Sequence, residues 1–363
     1  MIKYIGSKRR LVPVLGDLAS AAGARTAVDL FTGTTRVAQE LKRRGMCVTA
    51  VDSARYAEVF ARCYVATDGA AVDSRELERV LAELAARDGV DGYVTETFCV
   101  QSRFFQPFNG RRIDAIRDAI ERDYAGSELY PVLLTSLIEA ADRVDSTTGV
   151  QMAYVKQWAP RSFNPLELRS PELLAGPGTA VRGDACELAA SLGSFDFAYL
   201  DPPYNQHRYF TNYHIWETLV AWDAPVHYGV ACKRVDARDP ETHSVFNERR
   251  GMAGALAGVI GDVDAAVIAV SYNDESWVEI EELEAMVAAR GDAVCTLAFD
   301  SRRYVGAQIG IHNPRGEKVG AVSHLRNVEY VVVGGGALPV KRIADRFGVK
   351  GAHPWKSAAT SPS

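Results

Sequence analysis

A short apolar run, Phe195-Asp196-Phe197-Ala198-Tyr199-Leu200, stops directly against Asp201-Pro202-Pro203-Tyr204. Paired prolines lack amide hydrogens and hold φ near one value, so a strand that reaches them has to end there in a rigid loop. Four similar runs, at 26–31, 47–52, 179–182 and 265–271, are rich in Val, Ala, Ile or Phe and read as strands buried on both faces. Between the first two, Val37, Ala38 and Leu41 recur at helical spacing within 35–44, and Arg43-Arg44-Gly45 supplies a cationic last turn and a stop. Repetition of this unit predicts an α/β protein with an open, mainly parallel sheet, helices on both faces, and ligands at the carboxyl ends of the strands.

The interval from Asp52 to Thr179 is far longer than one crossover requires. It carries its own amphipathic helices at 74–87, 112–122 and 131–143, which predicts a helical domain inserted into the first. The expected division is 1–55 with 178–340 for the sheet domain, 56–177 for the insertion, and 341–363 for a partly disordered extension. A smaller aromatic and charged insertion occupies 207–262. Hydrophobic residues at 47% against 24% charged exclude a disordered chain. No apolar run nears the roughly 20 residues of a membrane helix, and no apolar segment follows the charged N-terminus, so neither a membrane span nor secretion is expected and the location reads as cytoplasmic. The six cysteines are never closer than 16 positions and the seven histidines show no ligand spacing, so no metal site is expected.

A net charge of -5 would on average repel DNA. Basic clusters at Lys8-Arg9-Arg10, Lys42-Arg43-Arg44, Arg103 with Arg111-Arg112, Arg302-Arg303 and Lys341-Arg342 leave two readings open, a basic cleft or a set of solvated faces.

The first strand runs into Asp29-Leu30-Phe31-Thr32-Gly33-Thr34, where Gly33 allows a close backbone approach. Asp52 ends the second strand, 19 residues after Gly33, where an acid meets ribose hydroxyls in dinucleotide folds. Together they suggest an adenosine-containing ligand, although a structural turn explains them equally well. Further glycines are missing at Thr35 and Arg36, which disfavours a pyrophosphate cofactor and a nucleotide-dependent oxidoreductase.

The loop at 201–204 is more specific. It offers a carboxylate, a backbone carbonyl and an aromatic face in four residues, which suits methylation of an exocyclic amine on a flat base. Such an amine shares its lone pair with the ring and becomes nucleophilic when acceptors hold its hydrogens. Asp201 and the Pro202 carbonyl can accept one each, Pro203 fixes the loop, and Tyr204 can stack on the base for roughly 1 to 3 kcal/mol. Positioning and electrostatics then supply the acceleration once a methyl donor lies in line.

These residues resemble the Dam-like DNA adenine-N6 methyltransferases that use S-adenosyl-L-methionine, over most of the chain. Tyr4-Ile5-Gly6-Ser7-Lys8 looks like the family's N-terminal cofactor motif, Asp29 to Gly33 its Phe-x-Gly loop, and Gly183-Asp184-Ala185 the segment at the cofactor adenine. Asp201-Pro202-Pro203-Tyr204 matches the catalytic motif, and Val270-Ser271-Tyr272-Asn273 resembles the end of the next strand. The resemblance implies a Rossmann-like fold with an inserted target-recognition domain, and a cofactor held by Tyr4, Lys8, Asp29, Phe31, Gly33, Thr34, Asp52, Ser53, Asp184 and Ala185. Two departures stand out. Thr35 replaces a family glycine and is expected to leave less room at the methionine end of the cofactor. Tyr209-Phe210-Thr211-Asn212-Tyr213-His214 is unusually aromatic and suited to closing over a flipped base.

Double-stranded DNA is the implied partner, its target adenine flipped out at a cost of a few kcal/mol. Candidate contacts are Arg103, Asn109, Arg111 and Arg112 in the insertion, Lys156 beside Trp158, and Tyr209, Asn212 and Tyr213; for each, base readout and a packing or phosphate role stay open. Other substrates of the same chemistry are cytosine N4, adenine in RNA or a glutamine amide. A non-catalytic DNA-binding module conflicts with the intact loop, and a fused nuclease has only Glu317-Lys318 as a faint echo. A separately encoded restriction endonuclease or defence partner, and a monomer or weak dimer, complete the expectation.

Overall fold

The computed structural model describes residues 2–5, 8–204, 206–273, 276–302, 311–312, 318–320 and 326–348. Gly6, Ser7, Arg303, Glu317, His324, His353 and the tail at 349–363, all noted in the sequence, lie outside these. Seven strands form the main sheet: β1 Thr26–Asp29, β2 Cys47–Asp52, β3 Gly178–Arg182, β4 Phe195–Leu200, β5 Ala265–Asn273, β6 Ala293–Arg302 and β7 Arg326–Gly335. Their order is β3-β2-β1-β4-β5-β7-β6. The first five run parallel, and β7 runs antiparallel to both neighbours. This is a Rossmann-like α/β sheet whose strand order reverses between β1 and β4, the place where such sheets bind ligands.

Side-chain alternation explains why the central strands are apolar throughout. Ala27, Val48, Phe197 and Tyr199 join one buried cluster, with Leu15, Leu18 and Leu41 from the helices Val12–Ala22 and Arg36–Arg43. Their neighbours Val28, Val51, Ala198 and Leu200 face the opposite way, against Leu256, Val259 and Ile260 of Met252–Asp262 and Leu283 and Val287 of Ile280–Ala288. A strand covered on both faces has no polar side to show.

The insertion is helical, with Ser74–Ala85, Pro107–Tyr124 and Tyr130–Val144 as its long elements. Asp73 caps the first by accepting from the Arg75 and Glu76 amides. It is not set apart from the sheet, however: Phe98, Ile116, Leu134 and Leu137 belong to the same buried cluster as Ala27 and Phe197. The expected boundary at 55/56 falls within the helix Arg55–Ala61, whose Tyr56, Ala57 and Phe60 pack on the sheet. The boundary at 340/341 likewise falls inside Ala337–Phe347. The antiparallel pair β6 and β7 is an addition to the expected parallel core. Among the described residues no helix is long and apolar enough to cross a membrane.

Candidate active site

Register brings the acids together. Asp29 pairs with Ala50 on one side and Tyr199 on the other, so the ends of β1, β2 and β4 sit level at the carboxyl edge. A cavity of about 720 Å³ opens there. All ten residues expected around a cofactor line it, together with Asp201, Pro203 and Tyr209.

The wall after β1 is built by short hydrogen bonds. Gly33 takes φ +50°, donates its amide to Asp52 Oδ2 at 2.8 Å, and leaves only a tight place for a Cβ, which would lie 3.1 Å from Tyr4 Oη. Asp52 Oδ1 accepts the Ala54 amide at 3.0 Å, and burial raises its pKa. Asp29 is 1% exposed; one carboxylate oxygen accepts the Thr32 hydroxyl at 3.0 Å and the other has no hydrogen-bond partner among the described residues. Burial pushes it up to about 7, with Asp201 and Asp52 adding to the shift against the Thr32 hydroxyl and the Phe31 amide. Asp184 accepts the Cys186 amide and caps a short helical turn at the far wall. Phe31 meets Phe246 edge to face at 5.0 Å.

Thr35 corrects one expectation. It adopts φ +63°, the conformation a glycine favours, but its hydroxyl donates to the Thr34 carbonyl and accepts from Gln39 Nε2, and the residue is not part of the cavity wall. The room at the cavity is therefore not reduced by this side chain.

Beyond β4, Asp201 and Pro203 face the cavity, Pro202 is buried, and Tyr204 packs edge-on to Tyr272 at 6.0 Å. Lys8, expected at the cofactor, lines the cavity but reaches Asp201 Oδ1 at 3.2 Å and Glu329 at 3.8 Å, with its ammonium 5.5 Å from the Tyr204 ring centroid. Burial pushes Asp201 up to about 6, Lys8 opposes the rise, and Glu329 adds to it. Burial alone would lower Lys8, but Asp201, Tyr204 and Glu329 outweigh it and hold the ammonium well above its ordinary value.

The aromatic segment after the loop is a pillar rather than a free flap. Tyr213 is 1% exposed, stacks on Tyr4 at 4.7 Å, and accepts the Ile5 amide at 2.7 Å. Packing on Tyr4 removes it from direct contact with DNA. Asn212 is buried beside it, its carbonyl accepting the Gln151 amide. Tyr209 alone of the three lines the cavity, stacked on Tyr4 at 5.3 Å.

The expected DNA contacts in the insertion separate into two kinds. Asn109 is fully buried: its Nδ2 donates to the Ser162 and Asn164 carbonyls and its Oδ1 accepts the Leu166 amide. An amide so consumed staples two segments and cannot read a base. Arg111 pairs with Asp91 at 2.7 Å, and Arg112 donates to the Ala85 carbonyl. Arg103 lies 4.8 Å over the Trp158 ring and donates to the Lys156 carbonyl, leaving the Lys156 ammonium exposed. None of these five lines the cavity.

Sequence reasoning missed two parts of the wall. Glu217, on His214–Ala221, is 1% exposed, accepts the Tyr56 amide at 3.4 Å, and is pushed up to about 7 by burial. The stretch from Asp236 to Asn247 supplies Thr242, Ser244 and Phe246, and is anchored where Arg234 bridges Asp223 and Asp236 at 2.7 and 2.6 Å. Neither carries a motif.

Comparison with known proteins adds an independent line. The family model of the D12 class N6 adenine-specific DNA methyltransferases matches residues 4–286. The type II methyltransferase M.NlaIII of Neisseria lactamica is 29% identical over 297 residues, covering 78% of this chain and 86% of the relative. M.CviAII of Paramecium bursaria Chlorella virus 1 is 28% identical, covering 85% and 94%. The modification methylase StsI of Streptococcus sanguinis is 27% identical, and there the chain spans 45% of the relative's length.

Proposed function

The chain belongs to the D12 class of N6 adenine-specific DNA methyltransferases, and on that premise we propose that it takes its methyl group from S-adenosyl-L-methionine and uses Asp201 and the Pro202 carbonyl to hold the target amine. The observation that carries this reading is the meeting of Asp29, Asp52 and Asp201 in one cavity at the carboxyl edge of the sheet.

The cavity suits the donor. The unpartnered oxygen of the buried Asp29 carboxylate asks for a cation or a donor hydrogen, which an α-ammonium supplies. Asp52 is fixed by the Gly33 and Ala54 amides with lone pairs left for ribose hydroxyls. Asp184 and Ala185 would flank the adenine, with Phe31, Thr34 and Ser53 between. When bound, the donor supplies an electrophilic methyl group on a sulfonium.

The protein's own share is to present the amine. Asp201 and the Pro202 carbonyl accept its two hydrogens, which moves the N6 lone pair out of the ring; Tyr204 stacks on the base and Pro203 keeps the loop rigid. The pocket lies at the end of a buried strand, so an adenine paired in a duplex has to swing out to reach it. We assign target recognition to the helical insertion, where Lys156 and the Arg103–Trp158 pair offer charge and aromatic surface. A separately encoded restriction endonuclease is the expected partner, by analogy with the type II relatives. The test is Asp201→Ala: cofactor affinity stays near wild type while methyl transfer is lost. Parallel loss of both would assign Asp201 to the fold instead.

A further inference from the structure

Lys8 sits where the sequence places a cofactor ligand, yet its ammonium faces the amine acceptor. Its carbonyl accepts the Leu11 and Val12 amides at 2.7 and 2.9 Å, which fixes the residue at the entry to the first helix. Its side chain is 4% exposed and ends between Asp201, at the tip of β4, and Glu329, on β7. A buried ammonium is tolerated only when paired, and here both partners are carboxylates. Among the described residues, the other ionisable groups set against Asp201 are Asp29, Glu329, Tyr199, Tyr204 and Tyr209; each is acidic, and Glu329 disfavours its ionised form. Among these residues Lys8 is the cation against it. Ionisation makes Asp201 the stronger acceptor of an amine hydrogen, since a carboxylate only accepts whereas a protonated carboxyl turns one of its oxygens into a donor.

We infer that Lys8 is the positioning residue of the amine acceptor: held between Asp201 and Glu329, it keeps Asp201 ionised and aimed. The inference rests on the assignment of Asp201 above and moves Lys8 from cofactor binding to the transfer step. Glu329 then tunes the pair from behind, with opposite sign.

The experiment is single-turnover methyl transfer at saturating cofactor, followed across pH, with cofactor affinity measured on the same preparations. Removing the cation in Lys8→Met should move the acid limb upward by at least about one pH unit, leave cofactor affinity nearly unchanged, and be largely rescued by Lys8→Arg. Glu329→Gln should move the limb downward. A limb unmoved in Lys8→Met, with affinity lost in step with rate, overturns the inference. Should Lys8→Met fail to fold, Glu329→Gln decides alone: a downward limb supports the inference, and an unmoved or upward limb overturns it. Asp201→Ala, which removes the acceptor oxygens outright, separates the two layers. If it keeps full rate, the reading of Asp201 itself fails; if it is inactive while the limbs of the other variants stay fixed, only the role of Lys8 falls.

Discussion

Replacing Asp29 by asparagine should make the protein more stable and worse at holding its methyl donor. The side chain is 1% exposed, and its pKa stands at about 7 against an ordinary 3.8. At about 1.4 kcal/mol per tenfold, that gap corresponds to roughly 4 kcal/mol spent on keeping the carboxylate ionised in alkaline solution. Relaxation around the charge trims this, so we expect a gain of about 2 to 4 kcal/mol for Asp29→Asn in urea unfolding at about pH 8. The sign follows from linkage. A carboxyl whose folded pKa is raised binds its proton more tightly in the folded state, so its contribution is fully present below the unfolded value and is lost as pH rises through about 7. The gain of the variant should therefore shrink towards zero near pH 4. Asparagine keeps an oxygen for the Thr32 hydroxyl but offers no charge to an ammonium. A charge-assisted hydrogen bond contributes about 1.5 to 3 kcal/mol, so donor affinity measured by calorimetry should fall by about tenfold to a hundredfold. A variant that is less stable at alkaline pH, or that binds the donor as tightly as wild type, would refute the reasoning.

Three further outcomes are expected. Gly33→Ala forces a Cβ into a left-handed backbone and against Tyr4, costing about 1 to 2 kcal/mol; thermal unfolding should report the loss and donor titration a weaker site. Asn109→Ala removes three hydrogen bonds, two of them buried and one part-buried, and should cost about 2 to 4 kcal/mol in urea unfolding, while the salt dependence of DNA binding by the folded fraction stays the same. Lys156→Ala should leave stability unchanged and, if its ammonium meets a phosphate, reduce the slope of log affinity against log salt by about 0.9; an unchanged slope removes Lys156 from the interface.

What could be read in advance was what local pattern determines. The runs that became β1, β2, β4 and β5 announce themselves because a strand covered on both faces is apolar along its length, as Ala27-Val28 and Phe197 to Leu200 are; β3, expected to be buried likewise, is an edge strand with no buried residue. Gly33 and Asp52 could be placed at the ligand edge of the sheet because glycine turns and strand ends are sequence-local, the other cavity residues followed from the family resemblance, and the parallel register sets Asp29 beside Tyr199. The antiparallel strands β6 and β7 are not among the expected runs, although Val331-Val332-Val333 is an apolar, β-branched run buried like those of the parallel strands; what local pattern does not carry is the antiparallel pairing across a long connection. Asn109 and Tyr213 misled for a related reason. An amide amid arginines and a tyrosine after a catalytic loop look alike whether they face solvent or core, and distant partners at Ser162 to Leu166 and at Ile5 decide which. The contact of Lys8 with Asp201 is equally non-local.

Expression of the wild-type chain and of Asp201→Ala in a bacterial host free of DNA methylation, followed by single-molecule sequencing of the host genome, tests the central claim directly. The account predicts N6-methyladenine confined to one short motif in the wild type and none with Asp201→Ala. Cytosine N4 methylation in its place, or adenine marks that persist in the variant, would contradict it.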